Sequence, residues 1–347
     1  MSVTHDPVPA PTRPAQAGQV GVGRVGGDVR GRLAGPRADA PWLVADIGGT
    51  NARFGLIRRP GGAPTEVKVL AGREYPGLAE AALDYLDGVR PAAACLAVAG
   101  PVTAGTFRMN NSPWTGTAAE LREALGAGHL ELINDFEALA LSIPQLKTYD
   151  LQRIGPEIHG TGPVAVLGPG TGLGAALLVP GERGWTPIPG EGGHVDLAPV
   201  TEREIEVVRL LRAEHGSGSA ELILSGAGMS RLHRLLGEID GVATNSFTAA
   251  DICARRDDSR CAQTLETFCA MLGTFAGNAA LTMGARGGVY LGGGILPRIA
   301  DLLDSGEFRR RFENKPPVED YLRSIPTSLI VAATPALAGA AYRLETV

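Results

Sequence analysis

Lysine is nearly missing from this chain. Only Lys68, Lys147 and Lys315 occur in 347 residues, and arginine supplies the rest of the 32 basic side chains. Against 37 acidic residues the formal net charge is −5. No basic cluster interrupts that balance, which excludes a general nucleic-acid binder. The arginine bias reads as genome composition and not as mechanism. Cysteine is scarce as well. Cys95, Cys253, Cys261 and Cys269 form no CxxC pair. That spacing predicts reduced, buried thiols in place of disulfides or zinc ligands. No apolar run reaches the roughly 18 residues of a membrane helix. The first residues carry charges but no apolar h-region, so no secretory signal is read and the cytoplasm is the expected location.

What is present is α/β patterning. The length is a soft prior for two domains, and a hydrophobic content of 44% allows a sizeable core. Residues 1–40 are rich in Pro, Gly, Ala, Arg and Val without periodicity and are expected to be a disordered extension. Within them "GVGRVGG" matches G-x-G-x-x-G from Gly21 to Gly26, but no strand precedes it and no helical pattern follows, so no dinucleotide site is expected there. From Trp42 onward strands alternate with helices. "WLVADI" and residues 52–57 predict a hairpin around Gly48-Gly49, and "ACLAVAG" (94–100) predicts a buried strand. Thr117 and Glu120 form a capping box opening a helix to about Leu125, and "HLELIND" (129–135) runs as a strand into the helix "FEALAL". A second unit starts near residue 150. Residues 163–179 repeat the strand, Gly/Thr turn and strand. Thr201 and Glu204 cap a helix to about Glu214. Residues 264–284 predict a buried helix whose Gly273 and Gly277 admit a neighbouring backbone. "GGVYLGGGILPRI" (287–299) predicts a strand, a triple-glycine loop and a helix with Pro297 in its first turn. A last strand and helix, "SLIVAA" and "PALAGAAYRL", close the chain.

Several short stretches point to chemistry. The turn from Asp46 to Asn51 offers backbone N–H groups with no Cβ to block an anion; Gly48 and Gly49 permit close approach, and Thr50 and Asn51 add donors. Asp46 sits inside an apolar run, where an unpaired carboxylate is costly. Beside a phosphate it calls for a divalent cation, directly or through water. "GPGTGLG" (168–174) is a second donor-rich turn, and the two together suggest two halves facing one nucleotide. The glycines 292–294 suit the flat face of a nucleoside or, equally, a tight strand–helix turn. Asn134 and Asp135 end a strand and open a helix, where an N-cap role competes with a ligand-facing one. Glu191 and His194, among glycines in "PGEGGHVD", suit a polyhydroxylated ligand better than a metal. Glu221 in "SAELIL" is expected at the start of a helix.

Taken in order, "ADIGGTNAR", "INDF", "GPGTGLG", "PGEGGHVD", "SAELILSG" and "LGGGILPR" resemble the bacterial ATP-dependent glucokinases over residues 42–347. The resemblance implies an α/β, two-domain actin-like/ribonuclease H-like fold with an interdomain cleft. It implies a small domain of residues 41–145 plus 335–347 and a large one of residues 146–334. It places Ala45, Asp46, Ile47, Gly48, Gly49, Thr50 and Asn51 with Gly170, Thr171 and Gly172 on the ATP phosphates, and Gly226, Gly228, Gly293 and Gly294 near the adenosine. Asn111, Asn134, Asp135, Glu191, His194 and Glu221 would hold glucose, with Asp135 as the catalytic base and Asp46 serving Mg²⁺ through water. The cysteine-rich zinc motif of the related repressor–open-reading-frame–kinase proteins is replaced after "GEGGH" by "VDLAPVTEREIEVV", which implies the branch without zinc. The implied reaction is phosphoryl transfer from Mg·ATP to the 6-hydroxyl of glucose, in a homodimer, with no nucleic-acid or membrane partner. A kinase for another hexose and a non-catalytic sugar sensor are the alternatives; an actin-like filament protein would lack Glu191, His194 and Glu221.

Overall fold

The computed structural model describes residues 33–109, 112–182 and 184–347. The glycine-rich 21–26 stretch lies outside them. Residues 33–40, read from sequence as part of the extension, run beside the first strand, where Ala34 O accepts the Trp42 indole N–H at 3.1 Å. The cause is local: Trp42 is buried and its donor needs a partner.

Strands β1 (Trp42–Ile47), β2 (Asn51–Ile57) and β3 (Thr65–Ala71) form an antiparallel meander. After α1 (Leu78–Leu86), β4 (Ala93–Val98) returns parallel to β1. Every residue of β4 is buried, the continuous apolar run expected of a strand covered on both faces. A small sheet of β5 (Val102–Thr103), β6 (Thr106–Arg108) and β7 (Thr115–Thr117) leads to α2 (Ala118–Leu125), which starts at the expected Thr117–Glu120 capping box. β8 (His129–Asn134) then pairs parallel with β4 and passes directly into α3 (Asp135–Ser142). The strand order is β3-β2-β1-β4-β8, so the carboxyl ends of β1, β4 and β8 share one edge.

The second sheet has the order β12-β11-β10-β13-β14-β9. It comprises β9 (Leu151–Ile154), β10 (Val164–Pro169), β11 (Leu173–Gly181), β12 (Gly184–Gly190), β13 (Gly288–Leu291) and β14 (Thr327–Ile330). Its helices are α4 (Glu202–His215), α5 (Gly226–Ile239), α6 (Ala249–Ala254), α7 (Ser259–Met283), α8 (Ala300–Asp304), α9 (Glu307–Glu313) and α10 (Glu319–Arg323). α7 begins five residues before the expected start, because Asp258 caps it by accepting the Arg260 and Cys261 N–H groups. Gly273 and Gly277 do admit a neighbouring backbone: a Cβ on Gly277 would lie 2.6 Å from Phe312 O of α9. The last helix, α11 (Pro335–Glu345), packs on α3, β1 and β4, while α3 touches both sheets. One apolar cluster therefore joins Val44 and Cys95 of the first sheet, Leu141 and Leu337 of α3 and α11, and Val166 and Leu178 of the second. All four cysteines are buried and free.

Candidate active site

The antiparallel register of the first hairpin sets Asp46 directly opposite Arg53. Cross-strand partners share a face, and here they form an ion pair, Arg53 Nη1 to Asp46 Oδ2 at 2.9 Å. Burial pushes the Asp46 carboxyl up, and Arg53 opposes that shift. The half-buried carboxylate thus has a counter-charge within its own hairpin. Arg53 was missed on the sequence, although the turn length and the period of two place it there. The turn closes through Gly48 N–H to Asn51 O at 2.9 Å. Gly48 and Gly49 line a cleft of about 540 Å³, whereas Ala45 and Ile47 point their side chains into the core.

The second hairpin, between β10 and β11, closes through Gly170 N–H to Gly172 O at 2.8 Å. Gly170, Thr171 and Gly172 line the same cleft. Here Gly170 has open space around it, while Gly172 is crowded by protein. A Cβ on Gly172 would collide with the Glu221 carboxylate, which accepts the Leu173 N–H at 2.9 Å. Gly170 O accepts the Gly226 N–H at 2.9 Å, which ties the start of α5 to the turn and leaves Ala227 facing the cleft. Gly293 has φ +98° and lies against Pro169 O, so the triple glycine serves a close approach of two chain segments; Gly293 also lines the cleft. Gly294 has open space around it. Gly228 does not line the cleft. It is buried under Ile223, and its N–H donates to Ser225 Oγ at 3.0 Å as part of the α5 cap.

Asn134 and Asp135 stand at the carboxyl end of β8. Asn134 is the N-cap of α3: its Oδ1 accepts from Phe136 N–H at 2.9 Å and from Glu137 N–H at 3.3 Å, and its Nδ2 donates to Gly100 O at 3.1 Å. Most of its hydrogen-bonding capacity is spent on the fold. Asp135 is different. Its Oδ1 accepts the Phe136 N–H at 3.0 Å, and no cationic side chain pairs with it among the described residues. Burial first, and the charge of Asp46 second, push its carboxyl up to about 7. A carboxyl poised near neutrality in a cleft is a functional-site signature.

Glu191 and His194 lie on a short turn after β12, with side chains 72% and 55% exposed and 3.8 Å between Nε2 and Oε2. They face the cleft as free hydrogen-bonding groups. Glu221 sits on a single 3₁₀ turn, Ala220–Leu222, and not on a regular helix. The cleft thus gathers Gly48, Gly49, Asn134, Asp135, Gly170, Thr171, Gly172, Glu191, His194, Glu221 and Gly293. It does not gather Asp46, Thr50, Asn51, Gly226, Gly228 or Gly294. Asn111 lies outside the described residues. Besides Arg53, sequence reasoning missed Phe136, whose ring lines the cleft, and the wall Ala99–Pro101.

The pattern of the glucokinase family matches residues 43–347. The chain belongs to the glucokinase family. It is 45% identical over 311 residues to a glucokinase of Chromobacterium violaceum, covering 88% of this chain and 89% of that protein. It is 47% identical over 311 residues to one of Caulobacter sp. (strain K31), covering 87% and 94%. The crystal structure of a glucokinase from an Antarctic psychrotroph superposes with a TM-score of 0.79 at 35% identity, covering 88% and 99%. The fold is accordingly the α/β fold of the actin-like sugar kinases, as expected. No helix among the described residues is long and apolar enough to cross a membrane.

Proposed function

We propose that this protein transfers the γ-phosphoryl group of Mg·ATP to the 6-hydroxyl of D-glucose. The observation that carries the reading is a carboxylate at position 135, poised near neutrality, in one cleft with two glycine-rich turns and a cluster of free polar side chains. Asp135 accepts the hydroxyl proton as the oxygen bonds to the γ-phosphorus and ADP departs. A positioned base contributes about 10²–10⁴ in rate. Alignment of the alcohol and the phosphate contributes more, roughly 7–11 kcal/mol. The backbone N–H groups that the turn-closing bonds leave over, those of Gly49 and Thr50 and of Thr171 and Gly172, hold the phosphates. The rim of Gly226, Gly293 and Gly294 takes the adenosine. Glu191, His194 and Glu221 accept or donate hydrogen bonds to sugar hydroxyls, and a site left with unpaired polar groups rejects the wrong epimer.

The donor set fits a magnesium ion that travels with ATP, since such ions use one or two carboxylates plus the phosphates. Asp46, with Arg53 on only one oxygen, would hold it through water, and the ion would neutralise charge on the phosphates. For the lobes, we group residues 41–145 with 335–347 against 146–334; the packing of α11 on β1 and β4 supports this. We also read the chain as a cytoplasmic homodimer, which sedimentation can test. The reaction is tested by ADP release from purified protein across a sugar panel. Release dependent on glucose is expected; release with another hexose alone would reassign the substrate, and none with any sugar would favour a sensor.

A further inference from the structure

Asp135 hangs from the first sheet, yet the turn it must face belongs to the second. The residue that spans them is Phe136. Gly168 and Gly174 are register partners across β10 and β11. Together they leave a strip without side chains, and the Phe136 ring lies on it. A Cβ on Gly168 would lie 2.6 Å from Gly292 O and 3.1 Å from the ring, and one on Gly174 would lie 2.0 Å from two ring carbons. The Phe136 N–H meanwhile donates to Asp135 Oδ1 at 3.0 Å and to Asn134 Oδ1 at 2.9 Å. The rest of α3 also packs on β10, β11 and β12.

We propose that Phe136 is a positioning residue, whose seat on Gly168 and Gly174 sets the Asp135 carboxylate relative to the 170–172 turn. This rests on the kinase reading above. The ring has no polar atom and transfers no proton; it acts through the residue before it. Glycine at 174 is then required by the ring, and glycine at 168 by the Gly292 carbonyl beside the ring, and neither by a ligand.

The test compares Phe136→Leu, Gly174→Ala and the double variant with the wild-type chain. Each is checked for folding by circular dichroism, for glucose affinity by calorimetry and for turnover by ADP release. Each single change is expected to lower kcat about 10- to 100-fold, the scale of a misplaced catalytic group. Glucose affinity should stay within about threefold, since the loss belongs to the transition state. Trimming the ring makes room for the added methyl, so the double variant should recover at least about fivefold over Gly174→Ala, as contacting residues couple. If Gly174→Ala does not fold, the kcat-against-KM split in Phe136→Leu decides. A rise in glucose KM at unchanged kcat would make the ring a sugar contact and overturn the proposal. So would losses in a folded double variant that merely multiply. A wild-type chain that releases no ADP with any sugar would instead overturn the kinase reading and this inference with it.

Discussion

The two glycine hairpins resemble each other in sequence and differ in what surrounds them. At the first, a Cβ on Gly48 would meet only Asn51 O at 3.4 Å, an ordinary contact, and the one internal charge, Asp46, is matched by Arg53 across the strand pair. At the second, Phe136, Glu221, Gly193, Gly226 and Gly293 all press on residues 168–174. The first hairpin is an open cradle. The second is the point on which the other parts of the site are assembled. Glycine therefore has two meanings in one protein: space left open, as at Gly48 and Gly170, which we assign to the phosphates, and space already filled by the chain, as at Gly168, Gly172 and Gly174.

That contrast can be broken experimentally. The largest stability loss is expected at the second hairpin. A Cβ on Gly193 would collide with Leu173 O, so Gly193→Ala should cost about 3 kcal/mol, the upper part of the range for overpacking, in urea denaturation. Arg53→Met comes next. It leaves Asp46 without its partner, but both side chains keep a quarter to a third of their exposure, so about 1–2 kcal/mol is expected and not the full cost of a deeply buried pair. Adding Asp46→Asn should recover most of that loss in a double-mutant cycle.

A pH-dependent effect is expected at Asp135. Its carboxyl holds its proton more tightly folded, near 7, than at its ordinary value of 3.8. Its contribution to stability is therefore fully present below pH ~4 and lost as the pH rises through ~7. Asp135→Asn lacks this loss. Its Tm advantage over the wild type should be absent near pH 4, grow through pH 7 and level off above it. Least affected in stability is Gly48→Ala, at under about 0.5 kcal/mol, while its KM for ATP rises; an equal loss of stability at Gly48 and Gly193 would erase the distinction between the hairpins.

How much of this was legible follows the same division. Features set by neighbours in sequence were readable: the Thr117–Glu120 capping box, the two hairpins, the strand-to-helix step at Asn134–Asp135 and the buried thiols. The strands β9 and β12 were not, because short edge strands carrying charge or proline lack a clear period of two. Arg53 was within reach, since the hairpin register alone sets it beside Asp46. Phe136 was out of reach: nothing local tells that its ring lies on Gly168 and Gly174, 32 or more residues away. Gly228 misled for a related reason, because a glycine demanded by helix packing is indistinguishable in sequence from one that admits a ligand.

The most direct test of the account is turnover by Asp135→Asn, measured alongside its glucose affinity. The amide keeps the shape and the Phe136 contact but cannot take a proton. Glucose affinity should stay within about threefold of the wild type while kcat falls by about 10²–10⁴. A folded variant with near-normal kcat would contradict the role assigned to this carboxylate.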